Sequence, residues 1–323
     1  MKSTILDILK QNGRWVSGET LCRELGVSRT AVWKHISALR EDGYHIEARS
    51  NLGYRLLGIP DVPYPGEVSS GLSANVMGCR VEYFVELSST NDEAKKLAAK
   101  GCPEGTVVVA ECQTGGKGRL GRAWFTPPGK GLWFSLVLRP PVNPAETPQA
   151  TMVVAVAVAR AIWEHTGVAA AIKWPNDILV NDKKLCGILV ELNAEMDRVN
   201  FLVAGMGINV NIPRKDFPPE IRDTATSLQD ESGRRIPRVP LLRALLASLE
   251  KWYLVWLEQG FDPVLTEWRR LCVTLGRPVT VHTVRESYTG HAVDVEKTGA
   301  LLVRTEDGGM ERLLAGEVTL RKR

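Results

Sequence analysis

Five histidines and six cysteines are few for 323 residues, and neither kind clusters. Cys22, Cys79, Cys102, Cys112, Cys186 and Cys272 show no C-x-x-C spacing, which argues against a zinc module or a disulfide framework and predicts reduced thiols. The isolated histidines offer no metal constellation. No apolar run approaches the roughly 20 residues of a membrane-spanning helix. The longest candidate, residues 152–159, is far too short. The first residues, MKSTILDILKQNGRW, are polar and periodic, so no signal peptide is expected. These absences predict a cytoplasmic chain with no membrane partner. The net charge of +4 is too small by itself to argue for nucleic acid. Length predicts two or three domains.

The distribution of charge says more than its sum. Residues 1–60 carry nine Lys/Arg against six Asp/Glu. Ile5, Leu6, Ile8 and Leu9 predict a first helix closed by Asn12-Gly13. Ser17 can cap a second helix reaching Leu25, and Ser28 a third reaching Arg40, with Gly26 in the turn between them. That is a helix-turn-helix pattern. The outer face of the third helix carries Arg29, Thr30, Trp33, Lys34 and Arg40, with no acid between Ser28 and Arg40, and such a helix can enter a major groove. Two short alternating runs follow, around residues 49–52, as in the wing of a winged helix. Arg49 and Arg55 are placed there for phosphates. A helical protein-interaction module would use the same core.

Beyond a Pro-rich linker, the chain is organised around residues 113–131, QTGGKGRLGRAWFTPPGKG. Six glycines and four bases follow a β-branched apolar strand predicted over residues 106–112. Glycine lets backbone N–H groups approach an anion, and Arg and Lys supply charge for a phosphoryl group. Gly116-x-Gly118-x-x-Gly121 matches a dinucleotide fingerprint, but Pro127-Pro128 forbids the helix that must follow it. Arg122-Ala123 stands where a Walker loop needs Lys-Ser/Thr. A mobile, merely solubilising loop is the bland alternative.

Further strands are expected over residues 81–86, 132–138, 178–180, 184–191 and 201–209, with a turn at Asn181-Asp182. Helices are expected over residues 93–100, 149–165, 241–257 and 262–271. Strands in hairpin order predict a mixed or mostly antiparallel sheet. Residues 213–240 lack periodicity and read as one long structureless segment. Five short runs after residue 272 predict a small closed barrel, with nothing catalytic in it.

Taken in order, Ser89-Thr90-Asn91, Gln113 with GGKGRLGRAW, KWPNDI from Lys173, KKLCGILVE from Lys183 and GMGINVN from Gly205 carry a resemblance. Over essentially its whole length the sequence resembles the biotin–protein ligases that double as biotin-operon repressors. The resemblance implies an α+β multidomain fold. Its parts would be a winged helix-turn-helix at 1–60, a central mixed β-sheet with helices, like a class II synthetase, at 66–271, and an SH3-like barrel at 272–323. It implies ATP, Mg²⁺ and biotin as cofactors and substrates. It implies a biotin-accepting carrier domain and operator DNA as partners, and a homodimer promoted by biotinyl-AMP. Residues 113–131 and 213–240 would order on the adenylate.

The resemblance also assigns residues. Around biotin it puts Ser89, Thr90, Asn91, Gln113, Gly116, Lys117, Gly118, Arg119, Lys184 and Gly187, with Ser89, Thr90 and Gln113 on the ureido end. Arg122, Trp124, Asn176 and Asn209 would hold ATP or the adenylate, Trp124 as a lid. Lys184 and Arg119 would be catalytic, and Asp177 would bind Mg²⁺ beside Asn176. Ser28, Arg29, Thr30, Trp33, Lys34 and Arg49 would meet DNA. The family's usual arginine is replaced here by Lys117, which keeps the charge and loses the bidentate fork. A lipoate-type ligase and a ligand-sensing transcription factor without ligase activity are the alternatives. The glycine-rich loop and winged helix speak against the first, and intact Arg119, Asp177 and Lys184 against the second.

Overall fold

A computed structural model describes residues 1–282, 287–314 and 316–320. The chain divides into two compact units, 1–62 and 63–323.

In the first unit, α1 (Lys2–Asn12) ends at Gly13, which takes the left-handed conformation at φ 58°. Ser17 caps α2 (Gly18–Leu25) through the Thr20 N–H, and Ser28 caps α3 (Arg29–Glu41) through that of Ala31. Ile5, Leu9, Leu21, Val32, Ile36 and Leu39 bury their side chains between the helices. The wing is an antiparallel pair, β1 (His45–Arg49) and β2 (Gly53–Gly58). Both the helix pattern and the wing match expectation.

The second unit opens on α4 (Pro65–Ser69), β3 (Arg80–Leu87), α5 (Thr90–Ala99), β4 (Thr106–Gln113), β5 (Gly131–Leu138) and α6 (Pro148–Thr166). It continues through β6 (Ala171–Lys173), β7 (Asp177–Val180), β8 (Lys183–Ala194), β9 (Val199–Asn209), α7 (Leu228–Ser232), α8 (Arg238–Gln259) and α9 (Asp262–Leu271). Its seven-stranded sheet has the order β3-β4-β5-β9-β8-β7-β6. Only β3 and β4 run parallel, so the sheet is mixed, as expected. Asn181 and Asp182 both have positive φ, the geometry of a tight hairpin turn.

Side chains alternate along β9. Leu202, Ala204, Met206 and Ile208 join the large core with α6, α8 and α9. Phe201 and Val203 face the other way and pack with α5. Further along that second face stand Gly205, Gly207 and Asn209, where the strand bears little or no side-chain bulk. A bare patch of sheet is therefore left beyond the end of α5, and the site lies over it.

One expectation needs correction. Residues 213–240 are not structureless. They hold a 3₁₀ turn (Arg214–Asp216), α7 and the first residues of α8. Phe217 is what packs the segment down, since its buried ring joins Trp133, Ile212 and Ala225 in a small apolar cluster. The five terminal runs are strands, as expected. β10 (Pro278–His282), β11 (Ser287–Val295), β12 (Leu301–Thr305), β13 (Met310–Leu313) and β14 (Glu317–Leu320) form an antiparallel sheet ordered β13-β12-β11-β10-β14. Val279, Val281, Val303 and Val318 belong to the same core as α6 and α8.

Candidate functional site

The start of α5 forms one wall. Ser89 caps the helix, its Oγ accepting from the Asp92 N–H at 3.3 Å, so plain capping is present. Its hydroxyl hydrogen remains available to donate. Thr90 donates its N–H (2.7 Å) and its hydroxyl (3.1 Å) to Gln113 Oε1. Ser135 Oγ lies 2.8 Å from Thr90 Oγ1 and 2.6 Å from Asn91 Oδ1. Asn91 Nδ2 donates to Glu191 and to the Leu189 carbonyl. Asn91 therefore ties α5 to β8, and it lines the cavity together with Ser89, Thr90 and Gln113.

The glycine-rich loop folds back as a small hairpin. Gly118 N–H donates to the Arg122 carbonyl at 2.6 Å, and Trp124 N–H to the Gly116 carbonyl at 3.0 Å. A 3₁₀ turn (Arg119–Gly121) makes the tip, with exposed Leu120 at φ 55°. Lys117 is on the cavity wall, and its ammonium is paired. Its Nζ sits 2.6 Å from Asp92 on α5, and this bond is the main reason the Asp92 carboxyl titrates below its ordinary range, Lys95 adding to it.

Beyond the hairpin, Trp124 lies flat on the bare sheet. Gly187 and Gly207 are cross-strand partners directly beneath it. A Cβ on Gly207 would stand 2.4 Å from Trp124 Nε1, and one on Gly187 3.0 Å from the ring. The two glycines clear a slot for the indole. Its Nε1 is buried with no hydrogen-bond partner among the described residues, a donor left over in the cavity wall.

Lys184 reaches the same face through a bulge. Gly187 pairs with Asp177 and Cys186 with Ile178, but Lys184 pairs with Leu179, so Leu185 is an extra residue. Strict alternation would put Lys184 and Gly187 on opposite faces, and the bulge brings them to one. Lys184 Nζ lies 2.7 Å from Asp177 and 5.3 Å from the centre of the Trp124 ring. Its backbone is pinned on both sides, the N–H to the Thr224 carbonyl and the C=O by the Thr226 N–H. Arg119 donates to Asn176 Oδ1 at 3.4 Å, and Asn176 Nδ2 donates to the Ile188 carbonyl at 2.6 Å.

These groups enclose a cavity of about 370 Å³. Every residue expected around biotin, the nucleotide or Mg²⁺ lines it except Gly116, whose carbonyl holds Trp124. Sequence reasoning missed Phe217, Ile221 and Thr224 on the wall, and Val318 and Thr319 from β14. Phe217 was visible as an aromatic in a polar stretch. Val318 and Thr319 sit in an ordinary alternating run that carried no signal.

The donors at Asp177 do not fit an ion held by protein groups alone. Asp177 is paired with Lys184, and the Asn176 amide is turned to Ile188 and Arg119. Among the described residues no three His, Cys, Asp or Glu side chains gather as a metal site.

In the first unit, Ser28, Arg29, Thr30, Trp33, Lys34 and Arg49 are all exposed. Arg40 departs from the outer face expected of it, since its guanidinium donates to the Ile46 carbonyl at 2.9 and 2.7 Å and ties α3 to the wing. Arg49 and Arg55 both bond Glu47 at 2.8 Å and both lie over the Trp15 ring. The wing cations are thus held in one arrangement.

Comparison with known proteins agrees with these features. Residues 83–209 match the biotin/lipoate A/B protein ligase family, residues 2–55 an HTH domain, and residues 274–321 the biotin protein ligase C terminal domain. The bifunctional ligase/repressor BirA of Bacillus subtilis is 40% identical over 99% of this chain and 98% of its own length. The chain belongs to the family of bifunctional ligase/repressors. BirA of Escherichia coli, another member, is 30% identical over 97% of the chain and 95% of its own length. Among solved structures, the biotin protein ligase of Aquifex aeolicus in complex with biotin and ATP superposes with a TM-score of 0.64 at 31% identity. It covers 76% of this chain and 100% of its own.

Proposed function

We propose that this chain is an ATP-dependent ligase that forms biotinyl-5′-AMP and transfers biotin to a lysine of a carboxylase carrier domain, and that it also represses transcription in response to biotin. One observation carries the reading. A single cavity joins a neutral donor–acceptor wall at Ser89, Thr90 and Gln113 to two cations, Arg119 and Lys184, and to an aromatic wall at Trp124 and Phe217. Biotin's ureido ring suits the first, its activated carboxyl the second, and adenine the third.

In the first step a biotin carboxylate oxygen attacks the α-phosphorus and the bond to pyrophosphate breaks. Negative charge is then shared among the phosphoryl oxygens. Lys184 is preorganised for that charge, because Asp177 orients its ammonium and residues 224–226 fix its backbone. Arg119 approaches from the loop, and loop closure keeps water from the mixed anhydride. In the second step a lysine amine attacks the acyl carbon and AMP leaves. Mg²⁺ would enter as the counter-ion of ATP, since this ion commonly combines one carboxylate with substrate phosphates. Among the described residues on the cavity wall, Asp177 is the one carboxylate.

The exposed basic face of α3 supports operator DNA as a partner, and the carrier domain follows from the second step. A three-part division at 1–60, 66–271 and 272–323, a cytoplasmic setting where ATP and carboxylases meet, and a homodimer promoted by the adenylate complete the proposal. Biotin-dependent ATP–pyrophosphate exchange, followed by mass gain on an acceptor domain, is the direct test. Exchange with lipoate in place of biotin would replace this reading with the lipoate-type one.

A further inference from the structure

Glu191 and Ser135 are not among the described residues that line the cavity, yet both hold Asn91, which does line it. Ser135 and Leu189 are both cross-strand partners of Gly205, so the three form one row across β5, β9 and β8. The Asn91 amide lies on the glycine, where a Cβ would stand 2.0 Å from its Oδ1. That oxygen is turned to Ser135 Oγ at 2.6 Å, and Nδ2 donates to the Leu189 carbonyl at 3.2 Å and to Glu191 Oε2 at 2.7 Å. Turning the amide over would set its oxygen against that carbonyl and that carboxylate. Lys95, 2.9 Å from the other carboxylate oxygen, keeps Glu191 in place. Glu191 therefore fixes which atom of Asn91 meets Ser135.

That choice decides how many hydrogens the neighbouring contacts share. From Asn91 Oδ1 a run of oxygens passes through Ser135 Oγ and Thr90 Oγ1 to Gln113 Oε1, at spacings of 2.6, 2.8 and 3.1 Å. Both ends are amide oxygens, which only accept. The two hydroxyls thus supply two hydrogens for three contacts. At 2.6 Å two oxygens need a hydrogen between them, so that of Ser135 goes to Asn91. The Thr90 hydrogen then goes either to Ser135 or to Gln113, whose Oε1 also takes the Thr90 N–H at 2.7 Å. In both cases Thr90 Oγ1 receives nothing, and among the described residues no other donor reaches it. With the amide turned over, Nδ2 would donate to Ser135, Ser135 to Thr90 and Thr90 to Gln113, and every contact would have its hydrogen.

We propose that Glu191 is a specificity-determining positioning residue. By fixing the Asn91 amide it leaves the Thr90 hydroxyl an acceptor, so that the site selects a ligand that presents an N–H there. The inference rests on the ligase reading above, in which the ureido ring of biotin meets this wall. Glu191 acts through Asn91 and Ser135 rather than on the ligand. A buried acceptor left unmet loses its solvation without gaining a bond. A ring of the same shape with CH2 in place of that N–H is therefore rejected.

The experiment measures ATP–pyrophosphate exchange by the full-length protein with biotin and with its two lactam analogues, in each of which one ureido N–H is replaced by CH2. The parent should show a kcat/KM about ten- to hundredfold lower for one of the two, through KM rather than kcat. Glu191→Gln is nearly isosteric at a side chain 32% exposed, so the fold is kept. Lys95 retains the new amide's oxygen, its NH2 faces Asn91, and Asn91 turns over to accept from it. The ratio between biotin and that lactam should then fall to about one, because Ser135 now donates to Thr90. Ser135→Ala cuts the run of oxygens. It should keep the parent preference, and adding Glu191→Gln to it should change nothing, which a merely structural role of Glu191 would not predict. The assignment is overturned by a parent that uses both lactams as well as biotin, or by a Glu191→Gln variant that keeps the parent ratio. It is overturned equally if Glu191→Gln shifts the ratio as much with Ser135→Ala as without it. A parent chain lacking biotin-dependent exchange overturns the ligase reading instead.

Discussion

Trp124 and Gly207 are in such close contact that the indole occupies the space of a side chain on the strand beneath it, 2.4 Å from where a Cβ of residue 207 would be. Gly207→Ala should therefore lift the indole at a cost of about 1–3 kcal/mol, typical of overpacking. Exchange should fall by about tenfold or more. Once Trp124→Ala has emptied the slot, adding Gly207→Ala should cost nothing further. Independent, additive losses from the two substitutions would show that the slot does not position the ring.

Lys184→Ala and Arg119→Gly should each reduce exchange by roughly 10²–10³, as the loss of one preorganised donor does elsewhere. Thermal unfolding should be unchanged, since both side chains border the cavity. Near-normal exchange in both variants would sink their catalytic assignment.

Glu111 and Arg238 form a buried ion pair at 2.8 Å, with side chains 10% and 4% exposed. Glu111 also accepts from the Gly129 N–H, and Arg238 donates to the Gly131 carbonyl, so the pair anchors the loop's end to α8. Glu111→Ala leaves a buried cation uncompensated and should cost about 3–5 kcal/mol, read by urea denaturation. Replacing both residues by Met should recover much of that loss.

Asp92 titrates below its ordinary value of 3.8, chiefly through Lys117 and then Lys95. A carboxyl depressed in the folded state stabilises it fully above the unfolded value, and this contribution is lost as pH falls through the folded one. The tie between loop and α5 should hold at neutral pH and loosen only below pH 3.8. Lys117→Ala should loosen it at every pH. Hydrogen exchange of the loop amides, compared with the parent at neutral pH, gives the answer, and equal protection would show that the ion pair does not hold the loop.

Arg29→Ala with Lys34→Ala should weaken operator binding and lower the salt slope by about two, one for each phosphate left without its cation. Ligation should not change. A double variant that binds DNA like the parent would mean that α3 is not the reading helix.

Local sequence was enough for much of this protein. Ser17, Ser28 and Gly26 specify the helix-turn-helix because caps and a left-handed turn are decided within a few residues. Asn181-Asp182 specifies its hairpin in the same way. The ordered motifs identified the family, and nearly every residue assigned from them to biotin or the nucleotide lies on the cavity wall. Other features depended on tertiary structure. The bulge at Leu185 aims Lys184 at Trp124, and nothing in KKLCGILVE marks it, because an extra residue is visible only against its partner strand. Residues 213–240 are ordered because Phe217 found Trp133 and Ala225, an apolar cluster drawn from separate stretches of the chain. Val318 and Thr319 enter the cavity because the terminal sheet shares the large core. Alternation along a strand says that a residue faces one side, but only packing decides what stands there.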